Sequence, residues 1–349
     1  MSKQIKSEII GNLGRITLSR PKALNALTLE MCKKITELMI DWESNPDIGA
    51  VVIDSAGEKA FCAGGDVIML HDSGKAGDKK AENFWRTEYA LNELIQRYAK
   101  PYITLIDGIV MGGGVGLSVH GDYRIAGDAT LFAMPETGIG YFPDVGGSYF
   151  LPRLGQSVAQ WMGLTGARLK TAQACALGVV THYVPSDKHA ELVEALGKAK
   201  LDGTSADVEK IIKKFARKAP KAEDLNPSIG AFYAETAAEA LANLERDEGE
   251  WAQAQAAILR KKSPLAVAVT FEAIRRGGQM TFREAMAAEL DISLNFLKTQ
   301  DFYEGIRAQL IDKDRNPQWS HESLAKVTKA QIERLFKKTA KPALKFLGE

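Results

Sequence analysis

Residues 102–119 read YITLIDGIVMGGGVGLSV, an apolar run followed by a cluster of glycines. The uniformly apolar run at 102–106 predicts a β-strand that is covered on both faces. Glycine costs backbone entropy, so a glycine cluster after a strand indicates unusual dihedral angles or a close backbone approach. Because residues 112–114 precede a second apolar stretch at 115–119, we predict that the glycines open a buried helix.

Strands and helices alternate along the first half of the chain. Short apolar runs at 50–53 and 123–126 predict two further buried strands, and residues 5–19 predict a hairpin. Thr28 stands before apolar residues at helical spacing, so it predicts the N-cap of a helix. Strands that alternate with helices indicate an α/β layered fold.

The character of the sequence changes near residue 190. The stretch 200–262 is rich in Ala, Lys and Glu, and it predicts amphipathic helices packed on the core, with breaks at Pro220 and Pro227. Ser263, which is followed by proline, is typical of a helix N-terminus. We therefore predict two regions, an α/β core over residues 1–190 that carries the active site and a helical C-terminal region over residues 191–349.

The composition is that of an ordinary globular protein. Of the 349 residues, 45% are hydrophobic and 26% are charged, which excludes collagen, a coiled coil and extensive disorder. Lys and Arg number 45 against 44 Asp and Glu, so the net charge of +1 indicates no general attraction to nucleic acid or an anionic membrane. Three widely spaced cysteines favour a reducing compartment over a disulfide framework or a zinc site. With no secretory signal pattern and no 18-residue apolar run, we expect no membrane span and a cytoplasmic location.

A second glycine segment, residues 59–66, reads KAFCAGGD and follows the strand predicted at 50–53. Helix N-termini and glycine loops present free backbone N–H groups, and two such groups on one oxygen form an oxyanion hole. The glycines at 112–116 match neither the phosphate-binding P-loop nor the dinucleotide fingerprint. Tight packing of strand and helix explains either glycine cluster taken alone.

Glu136 and Asp144 lie in a third segment, residues 134–147, which reads MPETGIGYFPDVGG. The residues between them are uncharged and include two aromatic side chains. Two carboxyl groups buried in such a setting acquire raised or split pKa values, as general acid–base or nucleophilic catalysis requires. Helix capping explains either residue alone. Both together, beside two glycine segments, favour a catalytic role.

Three other features favour structural roles. Cys62 has no histidine near it in the sequence, so we expect a buried thiol without a catalytic role. His120 follows an apolar stretch, and we expect a core histidine with its hydrogen bonds satisfied. The tail at 325–349 carries seven Lys and Arg against two Glu. A solvated helix face is the favoured interpretation of the tail, and a basic rim near a phosphorylated ligand is the alternative.

These segments in this order, together with residues 19–27 (SRPKALNAL), resemble the crotonase (enoyl-CoA hydratase/isomerase) superfamily. The motifs cover about residues 15–185, and those at 84–89 (FWRTEY) and 301–319 resemble a hydrolase subfamily. The resemblance implies a crotonase-type spiral of repeated ββα units with a helical C-terminal region. It also implies hydrolysis of a 3-hydroxyacyl-CoA thioester. Coenzyme A is then part of the substrate, and neither a cofactor nor a metal is expected.

The resemblance implies roles for individual residues. The catalytic candidates are Glu136, Asp144, and Gly65 and Gly113, whose N–H groups would form the oxyanion hole. The substrate-binding candidates are Glu88 near the acyl group, Lys22, Ala23 and Ala26 along the coenzyme A path, and Gly64 and Asp66 in the first glycine loop. For Asp66, capping of the loop is the favoured role. Whether Glu136 attacks the thioester carbonyl or activates a water is left open.

One departure from the superfamily pattern bears on the reaction. Hydratases of the superfamily carry a second catalytic glutamate three positions after the oxyanion glycine, where this sequence has Gly116. Hydration of a double bond needs paired acids on a water, so Gly116 argues for a hydrolase. Enoyl-CoA isomerase or hydratase chemistry and a non-catalytic acyl-CoA-binding protein are the alternatives, while RNA binding is disfavoured by the balanced charge. A homo-oligomer is possible, because the superfamily favours trimers and hexamers.

Overall fold

The computed structural model describes residues 4–348 of the chain. Within them the strands are β1 (Ile5–Ile10), β2 (Leu13–Leu18), β3 (Ala50–Ser55), β4 (Ala60–Cys62), β5 (Tyr102–Ile106), β6 (Ile109–Met111), β7 (Tyr123–Ala126), β8 (Leu131–Ala133), β9 (Leu169–Lys170) and β10 (His182–Tyr183). They form a six-stranded sheet in the order β1-β2-β3-β5-β7-β10 and a four-stranded sheet in the order β4-β6-β8-β9.

The helices of the described residues surround these two sheets and make up most of the second half of the chain. They are α1 (Leu29–Ser44), α2 (Val67–Ala76), α3 (Lys80–Gln96), α4 (Gly113–Ser118), α5 (Gly147–Phe150), α6 (Gln156–Thr165), α7 (Thr171–Ala176), α8 (His189–Lys198), α9 (Ser205–Phe215), α10 (Ala237–Arg246), α11 (Glu250–Arg260), α12 (Pro264–Gly277), α13 (Phe282–Phe296), α14 (Gln300–Ile306) and α15 (Lys329–Leu335).

A ββα unit repeats three times. Strands β3, β5 and β7 lie side by side in the large sheet, and each leads directly into a strand of the small sheet, β4, β6 or β8. All neighbouring pairs within these two sets are parallel, and Ile103, for example, pairs with Val52 on one side and Tyr123 on the other. A helical segment follows each pair, so successive units place equivalent loops at the same edge of the small sheet.

The central strands β3 and β5 of the large sheet are buried on both faces, as the apolar runs predict. Val51 and Ile53 of β3 belong to the main core, which also contains the apolar side of α1, while Val52 packs with residues of α8 and α9. The predicted hairpin is confirmed as β1 and β2, which are antiparallel. Thr28 is confirmed as the N-cap of α1, because its hydroxyl accepts a hydrogen bond from the Met31 amide.

The regular secondary structure of the C-terminal half is helical. Ser263 caps α12 as predicted, by accepting from the Ala266 amide. The helices predicted over 200–262 are found as α9, α10 and α11, but residues 216–236 hold a short 3₁₀ helix (Pro227–Phe232) in otherwise irregular chain. Helix α13 packs on α3, and α14 packs on α2 and on the turn that starts at Glu136. The domain boundary at 190 stays a prediction.

Candidate active site

The three motif segments meet because the strands before them are neighbours. Strand β6 pairs in parallel with β4 on one side and β8 on the other. Strand β4 ends at Cys62, β6 at Met111 and β8 at Ala133, directly before the two glycine loops and Met134-Pro135-Glu136. Since the carboxyl ends of parallel strands share one edge, motifs far apart in sequence lie side by side.

A cavity of about 450 Å³ opens at this edge. It is lined by six of the predicted site residues, namely Gly64, Gly65, Glu88, Gly113, Glu136 and Asp144. Apolar side chains that include Phe84, Trp85 and Phe302 form much of the remaining wall. The cavity therefore combines an apolar lining with a few convergent polar groups, as small-molecule sites commonly do.

The backbones of the two glycine loops come into close contact. Gly112, the N-cap of α4, has φ 47° and ψ −123°, a conformation that other residues rarely adopt. A Cβ atom at Gly112 would lie 3.3 Å from Gly64 Cα, and one at Gly113 would lie 3.3 Å from Gly65 N. Neither the Gly65 nor the Gly113 N–H donates a hydrogen bond within residues 4–348. Two free amides thus lie close together, that of Gly113 at the N-terminus of α4 and that of Gly65 in the loop after β4.

Glu88 and Glu136 are buried carboxyl groups beside these amides. Their residues are 2% and 6% exposed, and Glu88 Oε1 and Glu136 Oε2 have no hydrogen-bond partner among the described residues. A Cβ atom at Gly112 would lie 3.4 Å from Glu136 Oε1, and one at Gly113 would collide with Glu88 Oε1. Burial, and then the nearby charge of Asp144, raises the pKa of both groups well above the usual glutamate value.

Asp144 is also buried, at 6% exposure, but its carboxylate has donors. Tyr89 and Tyr141 both donate hydroxyl hydrogen bonds to Asp144 Oδ2, at 2.7 and 3.2 Å. Burial raises the pKa of Asp144 to about 6, and the two hydroxyl donors oppose the rise. The pKa of Asp144 is therefore the least raised of the three, and its charge in turn raises the pKa of Glu88 and Glu136.

The position at which hydratases carry their second catalytic glutamate, Gly116 in this chain, is tightly packed. Gly116 lies in α4, and a Cβ atom there would lie 2.7 Å from Asn92 Nδ2 and 2.8 Å from Val145 Cβ. Asn92 is fully buried, one turn after Glu88 on α3. A glutamate side chain has no room at position 116 unless Asn92 and Val145 move.

The predicted coenzyme A segment lies apart from the cavity lining. Lys22 borders a separate surface hollow with Asn25 and Lys59, and Ala23 and Ala26 line neither space. The segment nevertheless pairs with the first glycine loop, since the Leu27 amide donates to the Gly64 carbonyl at 2.8 Å. Coenzyme A binding by Lys22, Ala23 and Ala26 stays a prediction.

Asp66, Cys62 and His120 have structural surroundings. Asp66 caps α2 through the Met69 amide and pairs with Arg20 at 3.1 Å, outside the cavity lining. Cys62 is fully buried, and burial raises the pKa of its thiol to about 12. His120 Nε2 lies 2.7 Å from the Val145 carbonyl oxygen, and burial lowers its pKa to about 4. No group of three or more metal-binding side chains lies within residues 4–348.

Several lining residues could not be predicted from the motifs. Lys262, before α12, and Arg168 line the cavity and bring positive charge near Glu136. Phe302, Gln309 and Leu310 come from α14 and the turn after it. Tyr141 stands between the two predicted acids, so its position in the segment was a usable signal. Lys262 and Arg168 lie at least 24 positions from either acid and outside every motif, whereas Phe302, Gln309 and Leu310 fall in the 301–319 segment, whose resemblance did not show that it lines the site.

Residues 13–336 match the family described as enoyl-CoA hydratase/isomerase. The chain belongs to the enoyl-CoA hydratase/isomerase family. Two solved structures of 37% sequence identity support the expected crotonase-type fold. A carnitinyl-CoA dehydratase from Mycobacterium thermoresistibile has a TM-score of 0.92, with all of both chains covered. An enoyl-CoA hydratase from Rhodobacter sphaeroides has a TM-score of 0.87, with 99% of this chain and 100% of that chain covered.

Curated relatives within the enoyl-CoA hydratase/isomerase family carry a hydrolase name. The Danio rerio protein named 3-hydroxyisobutyryl-CoA hydrolase, mitochondrial, is 43% identical over 96% of this chain and 91% of its own length. The Homo sapiens protein of the same name is 39% identical over 99% of this chain and 91% of its own length. The resemblance read from the motifs is confirmed at the level of the family.

These relatives correct one expectation about the chain. The expected cytoplasmic location is wrong by this comparison, because the named hydrolases are mitochondrial. Unpaired cysteines indicate a reducing surrounding, and that property does not single out the cytoplasm. No helix within residues 4–348 is long and apolar enough to cross a membrane.

Proposed function

We propose that this protein hydrolyses a 3-hydroxyacyl-CoA thioester, with 3-hydroxyisobutyryl-CoA as the substrate and 3-hydroxyisobutyrate and coenzyme A as products. The observation that carries the proposal is a cavity with two free backbone amides and the buried acids Glu136 and Asp144. The position of the second hydratase acid, Gly116, is packed against Asn92. The names of the curated relatives support the same substrate, whose hydrolysis is a step of valine degradation.

The thioester carbonyl oxygen accepts hydrogen bonds from the N–H groups of Gly65 and Gly113. Both amides lie at the cavity without other acceptors, so they need no rearrangement when negative charge develops on that oxygen. A well-placed donor of this kind stabilises a tetrahedral intermediate by roughly 3–4 kcal/mol. The free N-terminus of α4 adds the positive end of its dipole at the same point.

Glu136 acts on the carbonyl carbon by one of two routes. Its carboxylate attacks the carbon, the bond to sulfur breaks, and water then hydrolyses the mixed anhydride. Alternatively, Glu136 removes a proton from a water that attacks the same carbon. In both routes the coenzyme A sulfur leaves with the bonding electrons and takes up a proton. Glu136 Oε2, which has no partner in the protein, is free to meet the substrate or the water.

Asp144 and Glu88 bind the acyl end of the substrate. A 3-hydroxyl group donates to Asp144, whose pKa is raised less than those of Glu88 and Glu136. Burial raises the pKa of Glu88 well above its usual value, which favours its neutral form, and its carboxyl group lines the same cavity. A substrate without the hydroxyl deprives these buried acids of a hydrogen-bond partner, which costs binding and rate.

Thiol release from a panel of acyl-CoA esters tests the proposal. We expect fast release from (S)-3-hydroxyisobutyryl-CoA and 3-hydroxypropionyl-CoA, and slow release from isobutyryl-CoA, which has no hydroxyl. Crotonyl-CoA tests the hydratase alternative, because hydration consumes the double bond and releases no thiol. Loss of the crotonyl-CoA double bond, with no thiol release from any ester, would reject the hydrolase.

Single turnover in ¹⁸O-labelled water distinguishes the two routes for Glu136. Hydrolysis of an anhydride at its enzyme-side carbonyl leaves label in the Glu136 carboxyl group. Mass spectrometry of the peptide that contains Glu136 measures that label. An unlabelled peptide, with label only in the released acid, rules out an anhydride that is hydrolysed at its enzyme-side carbonyl.

A further inference from the structure

Helix α13 contributes a hydroxyl group to the surroundings of Asp144. Ser293 Oγ lies 2.8 Å from the Tyr89 hydroxyl and 2.6 Å from the Tyr141 hydroxyl, and both tyrosines contact Asp144 Oδ2. All four residues are buried. Tyr141 and Asp144 line the cavity, whereas Ser293 lies outside the lining. Ser293 therefore reaches the site only through the two tyrosines.

The cluster formed by Ser293, Tyr89, Tyr141 and Asp144 has fewer hydroxyl protons than short oxygen–oxygen contacts. Ser293 Oγ also lies 2.7 Å from the Glu289 carbonyl oxygen, so five oxygen–oxygen contacts of 3.2 Å or less share three hydroxyl protons. With Asp144 ionised, Tyr89 and Tyr141 both donate to Asp144, and Ser293 donates to the Glu289 carbonyl oxygen. Each tyrosine proton is then shared between Asp144 Oδ2 and Ser293 Oγ, so the serine oxygen fixes the position of both tyrosine hydroxyl groups.

We propose that Ser293 is a positioning residue that holds Tyr89 and Tyr141 in the orientation in which they stabilise the ionised form of Asp144. This role rests on the proposed function, in which Asp144 binds the 3-hydroxyl group. It gives the C-terminal helical region a part in catalysis, although the substrate does not touch Ser293. No motif in the sequence points to this position, which lies 149 residues after Asp144.

A second contact from the same helix fixes the backbone beside Asp144. The Glu289 carboxylate accepts from the Gly146 and Ser148 amides at 2.8 and 3.0 Å, and from Ser148 Oγ at 2.6 Å. Glu289 lies one turn before Ser293 on α13. One helix thus holds both the loop that follows Asp144 and the hydroxyl groups that meet its carboxylate.

The charge state of Asp144 depends on the titratable groups around it. Those that face it are Tyr89 and Glu88 from α3, Tyr141 from its own loop, Glu136 from the preceding turn and Glu289 from α13. His120 contacts the carbonyl of the next residue, Val145, and is neutral at pH 7. Burial disfavours a charge on Asp144, and the two hydroxyl donors oppose that effect by favouring its ionised form.

The proposal predicts a change in the pH profile. Loss of Asp144 ionisation forms the acid limb of kcat/KM, near pH 6 in the wild type. In Ser293→Ala the tyrosine donations weaken, so the limb moves to higher pH by about one unit, a tenfold change in proton affinity. Ser293→Thr keeps the hydroxyl group, and we expect it to keep the wild-type limb. Leu294→Ala, a packing change on the same helix, lowers the thermal midpoint and leaves the limb in place.

An infrared titration keeps this test independent of turnover. The band of protonated Asp144, identified by its loss in Asp144→Asn, disappears at higher pH in Ser293→Ala than in the wild type. If the wild type releases no thiol, the proposed function fails, and the infrared shift still decides the role of Ser293. The proposal is overturned if, in Ser293→Ala, the acid limb of kcat/KM and the infrared band of Asp144 both titrate at the wild-type pH. Equal losses in the alanine and threonine variants at every pH would do the same, because they indicate a purely structural serine.

Discussion

Replacing Gly113 by alanine tests whether the N–H groups of Gly65 and Gly113 form the oxyanion hole. The added methyl carbon would collide with Glu88 Oε1 and lie 3.0 Å from Leu27 Cδ1 and 3.3 Å from Gly65 N. It therefore enters the space beside both free amides, where the substrate carbonyl oxygen has to accept its hydrogen bonds. The Glu88 and Leu27 contacts are to ends of side chains, which can give, whereas the amide of Gly65 is backbone and cannot.

The loss of activity expected from Gly113→Ala follows from the free energy that one hydrogen-bond donor contributes to the oxyanion hole. Removing one oxyanion donor costs about 3–4 kcal/mol of transition-state stabilisation, which corresponds to roughly 10²–10³-fold in kcat. Thiol release from 3-hydroxyisobutyryl-CoA measures that loss. Because the methyl group acts at the acyl end, we expect the affinity for free coenzyme A to change less than threefold, measured by calorimetry.

Gly230→Ala is the matched control for this substitution. A Cβ atom at Gly230 meets nothing within 4 Å, and the residue is exposed, so turnover and thermal midpoint stay at wild-type values. If Gly113→Ala folds with a near-native midpoint and retains kcat within threefold, the oxyanion assignment is refuted. If Gly113→Ala lowers the thermal midpoint, Gly65→Ala is the second variant to measure. Its Cβ atom would meet only the Phe84 ring, at 3.0 Å.

Three other substitutions test the remaining groups. Glu136→Gln should abolish turnover and leave coenzyme A affinity nearly unchanged, since its charge acts at the carbonyl carbon; retained thiol release would remove it from the mechanism. Asp144→Gly should lower kcat/KM for hydroxylated esters more than it weakens coenzyme A binding, and normal hydrolysis by this variant would contradict the assignment. The pKa of His120 is about 4 when folded, below its unfolded value of 6.5, so the stability from its neutral form is present above pH 6.5 and is lost as the pH falls toward 4. At pH 5 that loss is about 2 kcal/mol, and urea unfolding of His120→Gln should show a shallower decline between pH 7 and pH 5.

Local patterns predicted the secondary structure of the α/β core well. The runs at 50–53, 102–106 and 123–126 are strands of the large sheet, and they are mostly apolar because their residues alternate between two covered faces. Over 200–262 the composition predicted helices, found as α9, α10 and α11, and the irregular chain at 216–236 contains both predicted breaks, Pro220 and Pro227.

The acids and glycines of the site were predicted from their residue types and from the family resemblance. A glycine pair after a strand and an acid in an apolar segment have few structural explanations when they occur together. The unpartnered oxygens of Glu88 and Glu136 were beyond prediction, because the absence of a partner depends on every neighbouring side chain. The packing of Asn92 against Gly116 could not be predicted for the same reason.

The sequence by itself determined which strands form, where the backbone must be glycine, and which carboxyl groups are available for chemistry. These properties depend on dihedral freedom, on apolar periodicity and on residue type, all of which are local. Only the tertiary structure decided that β4, β6 and β8 end side by side and that Ser293 and Glu289 of α13 meet the Asp144 loop. Ionisation of the buried acids was decided at that level too. A pKa depends on burial and on charges within a few ångströms, and these come together only when distant segments pack.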